Sequence, residues 1–122
     1  MPHHALLCVG THDACLARVP LSERMGIDAE VIEREQLDIA EARALAERAS
    51  SRPISAEKRT FIISCQQLSN ETQNALLKLF EDPPTTAQFY IIVPRFSALL
   101  PTLRSRLHLL YEMDVSKDAP DG

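Results

Sequence analysis

The chain contains three short runs rich in apolar, β-branched and aromatic residues, separated by segments with helical periodicity. The runs are Ala5–Val9, Arg59–Cys65 and Phe89–Val93. Apolar runs of this length are typical of strands that are buried on both faces of a sheet. Strands that alternate with helices favour a parallel sheet with helices packed on both sides. The pattern therefore predicts a three-layer α/β domain.

Two weaker segments extend this prediction to five strands. Ala29–Glu33 alternates apolar and polar residues, as half-buried strands do, and Leu107–Tyr111 is predicted as the last strand. His12–Val19 is predicted as a short helix. Ser97–Arg106 is predicted to be helical, with Pro101 beginning a new turn because proline is accepted at the first helical position.

Two longer helices are predicted between the strands. Leu37–Ala49 carries apolar residues at helical spacing, and Asp38 is suited to cap its start. A second helix extends to Phe80 and is capped by Ser69 or Asn70. Both helices have one apolar face, so both are expected to pack on the sheet.

Length, net charge and the distribution of apolar residues limit the classes of protein to which this chain can belong. The length of 122 residues suits one domain, which we assign to residues 1–114, followed by a flexible polar tail at 115–122. A net charge of −4 disfavours a broad nucleic-acid-binding face. The sequence shows neither an apolar run of about 18 residues nor a secretory signal. These features predict a cytoplasmic protein that does not contact membranes.

The three cysteines, Cys8, Cys15 and Cys65, are far apart and form no Cys-x-x-Cys motif. Histidines lie close in sequence to the first two cysteines, which raises the alternative of a metal site. The ligand spacing of a tetrahedral site is lacking, however. We therefore predict reduced, structural thiols, with no metal site and no cofactor.

Two segments carry a resemblance to a known family. Asn74–Pro84 and Leu99–Arg106 are similar to parts of the AAA+ motor domain of sliding-clamp loaders, above all the delta-prime subunit of bacterial DNA polymerase III. The resemblance implies a P-loop NTPase-like fold with strand order 5-1-4-3-2. It also implies that the first segment is the helix after the Walker B strand. The second would end in the family's Ser-Arg-Cys motif, whose arginine reaches a neighbour's nucleotide.

The groups that would bind ATP in this chain are missing. A phosphate-binding loop needs a glycine-rich turn and a lysine, whereas the segment from Gly10 to Ala17 has one glycine, no lysine and an acidic Asp13. The resemblance places the Walker B acidic pair at Ile63 and Ser64, and the polar sensor near Val93–Arg95. None of these matches the family, so we predict a protein without nucleotide-binding or catalytic residues. It would have a P-loop NTPase-like fold without the P-loop, and it would not be an enzyme.

The arginine motif is retained in part. Ser105 and Arg106 match it, while Leu107 replaces the cysteine. By the resemblance, Arg106 would act in trans on a neighbour's ATP. The alternative is a solvated arginine at a helix C-terminus, where positive charge is favourable. Arg95 and Arg104 would form a basic patch with Arg106, or the three would be separate solvated charges.

Glu81 and Asp82 are neighbouring carboxylates at the end of the second long helix. An acid–base pair would need a suitable proton-transfer partner, and none is close in sequence. We predict a solvated helix end.

The leading functional hypothesis is a non-catalytic clamp-loader-like subunit or interaction module in DNA replication. Its partners would be clamp-loader or other DNA polymerase III subunits, although the family's lid and collar domains are not in this sequence. Self-association is another expectation. The alternatives are a replication accessory or regulator that contacts DNA weakly through Arg95, Arg104 and Arg106, and, less favoured, a residual nucleotide-binding protein.

Overall fold

The computed structural model describes residues 4–54 and 58–113. The elements, in chain order, are β1 (Ala5–Val9), α1 (His12–Leu16), α2 (Leu21–Arg24), β2 (Ala29–Leu37), α3 (Ile39–Ala49), β3 (Arg59–Leu68), α4 (Asn70–Glu81), β4 (Ala87–Val93), a 3-10 turn (Phe96–Ala98), α5 (Pro101–Arg104) and β5 (His108–Glu112). The predicted tail at 115–122 and the predicted domain end at residue 114 lie outside the described residues.

The five strands form one parallel sheet in the order β2-β3-β4-β1-β5. Read from the opposite edge, this is the predicted order 5-1-4-3-2, so the predicted three-layer α/β architecture is confirmed. All seven residues of β4 are buried, as expected for a central strand covered on both faces. The register of β5 on β1 shifts between Leu7 and Cys8, where β5 has one extra residue.

The two faces of the sheet carry unequal cores. The larger core lies under α3, α4 and α5, and the Phe89 ring stacks there on Phe61 with 5.6 Å between centroids. The smaller core joins the sheet to α1 and the residues that follow it, and consists of Cys8, Cys15, Val19, Ile62, Tyr90 and Ile92. Burial of apolar surface on both faces stabilises the three layers.

Side-chain caps fix the starts of the two long helices. The Asp38 carboxylate accepts a hydrogen bond from the Glu41 amide at 2.8 Å. The Ser69 hydroxyl accepts one from the Thr72 amide at 3.1 Å, which selects Ser69 over Asn70 as the cap of α4. Such caps satisfy amides that have no partner within the helix.

Several predicted boundaries differ from the structure because of pairing between strands. β2 continues to Leu37, rather than ending at Glu33, because its second half pairs with the Cys65–Leu68 part of β3. The helix predicted to begin at Leu37 therefore begins at Ile39. The segment predicted to be helical from Ser97 is a 3-10 turn followed by α5, and Pro101 is the first residue of α5 as predicted.

Within the described part of the chain, the helices are too short or too polar for any of them to span a membrane.

Candidate functional site

The carboxyl ends of parallel strands are where α/β folds commonly bind ligands, and the end of β1 is one of these positions. Gly10 follows β1, and its amide donates a hydrogen bond to the Val93 carbonyl at 2.9 Å. The Met113 amide donates to the Val9 carbonyl at 2.7 Å. These two bonds hold the end of β4 and the chain after β5 against the end of β1.

Side chains fill the space beside Gly10. A Cβ atom at this position would lie 2.7 Å from the Met113 Cβ and 3.4 Å from both the Cys15 Sγ and the Met113 Sδ. The Thr11 hydroxyl accepts a hydrogen bond from the Ala14 amide at 3.2 Å and so caps α1. Side-chain atoms of Cys15 and Met113 therefore lie against Gly10 at the end of β1.

Replacing Gly10 by alanine is expected to destabilise the protein by about 2 kcal/mol. The backbone φ of +150° is rare for residues with a side chain, and the added methyl would overlap the Met113 Cβ. Urea unfolding followed by circular dichroism measures the change. Gly26→Ala is the matched control, because its φ of +112° is also positive but nothing lies within 4 Å of the added atom. Equal losses in the two variants would mean that the contact with Met113 is unimportant.

Cys8 and Cys15 belong to the smaller core, and both are fully buried. A hydrogen-bonding interaction with Cys15 raises the pKa of Cys8, and burial raises it further. The same interaction lowers the pKa of Cys15, as does the charge of Arg18, whereas burial acts in the opposite direction. The two thiols therefore differ in the direction of their pKa shift.

The positions expected for the acidic pair and the sensor carry no acidic group. Ile63 and Ser64 lie within β3, not at its end, and are 0% and 3% exposed. Val93 ends β4 and is buried, whereas Arg95 after it is exposed. Of the described residues, no three or more His, Cys, Asp or Glu side chains are grouped so that they could hold a metal ion.

The arginine motif follows α5 on the surface. Ser105 is the C-cap of this helix, and its hydroxyl donates to the Thr102 carbonyl at 2.8 Å. The Arg106 Nη2 atom lies 3.5 Å from the Glu81 Oε2 atom, and both side chains are about half-exposed. The structure thus places Glu81 beside Arg106, a contact that the prediction of a solvated helix end did not include.

The other two arginines of the predicted basic patch have different surroundings. The Arg104 guanidinium lies over the Phe96 ring, 3.9 Å from its centroid, a cation–π contact. Arg95 precedes the 3-10 turn and is exposed. Arg104 and Arg106 therefore contact different residues. A shared role for the three arginines stays a prediction.

Gln73 anchors the segment that carries Arg106, and sequence reasoning missed it. Its side-chain amide donates to the Leu68 carbonyl at 3.1 Å and to the Ala98 carbonyl at 3.2 Å. Its side-chain oxygen accepts a bond from the Leu100 amide at 2.6 Å. This buried side chain thereby ties α4 to the turn before α5. The available signal was its position three residues before Leu76, on the apolar face of α4.

The sequence is similar to those of DNA polymerase III subunits. The sequence pattern of a family described as "DNA polymerase III, delta subunit" matches residues 4–114. The DNA polymerase III gamma/tau subunits of Mycobacterium bovis and Mycobacterium tuberculosis are 34% identical over 71 residues. That match covers 57% of this chain but 12% of those subunits.

A solved structure has the same fold. A DNA polymerase III gamma-subunit-related protein from Thermotoga maritima superimposes with a TM-score of 0.74 over 95% of this chain, at 21% identity. The match covers 44% of that protein. The chain therefore spans less than half the length of this structure, and a much smaller part of the gamma/tau subunits.

Proposed function

Because this chain belongs to the DNA polymerase III delta subunit family, we propose that it is a non-catalytic clamp-loader-like module of DNA replication that serves a neighbouring ATP-binding subunit. Family membership supports a replication role in association with other replication subunits. The proposal adds that the chain binds no ATP itself and that Arg106 acts on the neighbour's nucleotide.

The residues at the end of β1 and in β3 are the observation that carries the proposal. Met113 and Cys15 lie against Gly10, and the strand positions expected to bear the acidic pair are Ile63 and Ser64, both buried. Phosphate binding at a strand end relies on backbone amides that point at free space, and magnesium relies on carboxylates. These residues therefore support a domain that retains the fold of its family but lacks the nucleotide-binding site.

Arg106 has the exposure that a contact with a neighbour would require. It is about half-exposed at the end of α5, and the segment before it is fixed by Gln73. Its contact with Glu81 is an exposed ion pair at 3.5 Å, and such pairs contribute about 0–1 kcal/mol. Transfer of Arg106 from Glu81 to a more highly charged triphosphate would therefore cost little.

Co-assembly with an ATP-binding partner tests this function. We expect the chain to co-elute with a gamma/tau-type subunit of the same organism in size-exclusion chromatography with light scattering. We also expect no heat in titration of the isolated chain with millimolar ATP and magnesium. Complex formation should survive Arg106→Ala, because one half-exposed side chain contributes little of a typical interface area. ATP binding by the isolated chain, or no complex at micromolar concentrations, would contradict the proposal.

A further inference from the structure

A pocket of about 390 Å³ opens between α2 and the amino ends of β2, β3 and β4, at the opposite end of the sheet from Gly10. Its floor is a row across three strands, because Ala29 pairs with Thr60 and Thr60 pairs with Gln88. Alternate residues of a strand share a face, so Thr60 lies on the face of Ile62, and Gln88 on the face of Tyr90. Ile62 and Tyr90 belong to the smaller core, which therefore ends in a pocket with a polar floor.

The wall of this pocket carries a carboxylate that is fixed by a hydrogen bond. Glu23 of α2 lines the pocket, and its Oε1 atom accepts a hydrogen bond from the Tyr90 hydroxyl at 2.6 Å. Burial, followed by the hydrogen bond and charge of Glu23, raises the pKa of Tyr90, so the phenol remains a donor. No residue of α2 is buried, so this bond helps to hold the helix on the sheet. A carboxylate has further acceptor sites, which a ligand in the pocket could use.

The pocket also contains a positive charge. Lys58 lines it, and in the described part of the chain the ion pairs include neither Lys58 nor Glu23. Asp28 is another lining residue, but it is buried and its carboxylate already accepts a hydrogen bond from the Ile54 amide at 2.6 Å. Its charge adds to the negative potential on the side of the pocket that would receive a cation. Glu23 and Lys58 are therefore the two charges with which a ligand could pair.

Two exposed apolar side chains border the same pocket. Met25 and Ile27 are 65% and 64% exposed, and both line it. We propose that the pocket binds a free α-amino acid with an apolar side chain. The ammonium group would pair with Glu23, the carboxylate with Lys58, and the side chain would cover Met25 and Ile27. The volume lies within the range of about 300–1,000 Å³ that is typical of small-ligand pockets, in which a few polar groups fix the orientation.

The same groups argue against other classes of ligand. A phosphate-bearing ligand would meet the negative charges of Glu23 and Asp28, which repel it. A simple amine would leave Lys58 without a partner, and a simple carboxylic acid would leave Glu23 without one. A metal ion is disfavoured, because no group of three or more His, Cys, Asp or Glu side chains that could hold one occurs in the described ranges, 4–54 and 58–113.

Calorimetric titration of the full chain with L-leucine and L-methionine tests the pocket. We expect saturable binding of one molecule per chain at millimolar concentrations. Two analogues of leucine test the recognition of each charge, namely α-ketoisocaproate, which lacks the ammonium group, and isoamylamine, which lacks the carboxylate. Each should bind at least about tenfold more weakly than leucine, because it loses one charge-assisted contact. The proposal is overturned if neither amino acid binds, or if either analogue binds as tightly as leucine.

Two substitutions test whether binding occurs in this pocket. Glu23→Gln keeps an oxygen that can accept the Tyr90 hydrogen bond, and Lys58→Met keeps an apolar chain of similar length, so circular dichroism should show a native fold. Both should weaken leucine binding at least about tenfold. Glu71→Gln and Lys78→Met are the matched controls, since they remove the same charges from exposed positions of α4, and they should bind as the parent chain does. Unchanged affinity in the two folded pocket variants overturns the proposal, as does an equal loss in the controls. The analogue series needs only the parent chain, so it decides the question if a variant does not fold.

Discussion

Replacing Arg106 by alanine is expected to slow ATP hydrolysis by a neighbouring subunit at least about tenfold, and arginines of this kind contribute up to about 10³–10⁵-fold in phosphoryl transfer. A tenfold loss corresponds to about 1.4 kcal/mol of transition-state stabilisation. The guanidinium would stabilise charge that develops on the transferred phosphoryl group. The measurement is the steady-state ATPase rate of a purified complex in which the partner provides the ATP site.

Two neighbouring arginines provide matched controls for this experiment. Arg95→Ala and Arg104→Ala each remove one charge from the same segment of the sequence, and each should leave the rate within about twofold. The Arg104 side chain already packs on Phe96, so it contacts a different residue from the one that Arg106 contacts. Equal losses in all three variants would indicate a general basic surface, and an unchanged rate in an intact Arg106→Ala complex would remove the trans-acting role.

Replacing Gln73 by leucine is expected to destabilise the fold by about 3 kcal/mol, because three backbone groups lose their partner. The Leu68 and Ala98 carbonyls would lose the Gln73 amide, and the Leu100 amide would lose the Gln73 oxygen. Leucine is similar in size, so the loss reports hydrogen bonding more than volume. Urea unfolding at constant pH gives the free energy of unfolding.

Gln66→Leu is the control, because Gln66 is an exposed residue of β3 in the same part of the domain. Exposed substitutions of this kind usually change stability by less than about 0.5 kcal/mol. The Gln73 network also fixes the segment that presents Arg106. A Gln73→Leu chain that is still folded should therefore show a reduced ATPase effect on its partner. A loss below about 1 kcal/mol would mean that water replaces the three bonds.

The buried strands and helix caps could be predicted because the information is local. The apolar residues of β1, β3 and β4 are contiguous in sequence, and Asp38 and Ser69 bond to amides only three residues away. The sheet order needed the family resemblance, since periodicity does not specify which strands are neighbours.

The second half of β2 could not be predicted from its own residues. The sequence from Glu33 to Gln36 is charged or polar throughout, and these residues are exposed. They are held in the sheet by pairing with β3, and Arg34 reaches Glu41 of α3 at 2.6 Å. Such charged residues are common on edge strands, where they discourage further pairing.

The contacts of Arg106 and Gln73 could not be predicted either, because they join residues that are far apart in the sequence. Arg106 and Glu81 are 25 residues apart, and Gln73 is separated from Leu100 by 27. Polar pairs at such distances leave no periodic signal in the sequence. The meeting of Cys15 with Met113 depends on the order of strands β1 and β5, so it appears only once the chain is folded.

The position of β1 has a consequence for how this domain folds. The first strand lies between β4 and β5, the last two strands of the described chain. During synthesis on the ribosome, β1 leaves the exit tunnel long before either of its partners exists, while β2 and β3 can already pair. Closing such long loops is slow because their entropy is lost before contacts form. The final step of folding is therefore expected to be the insertion of the N-terminal strand, and until then its apolar residues are available to chaperones.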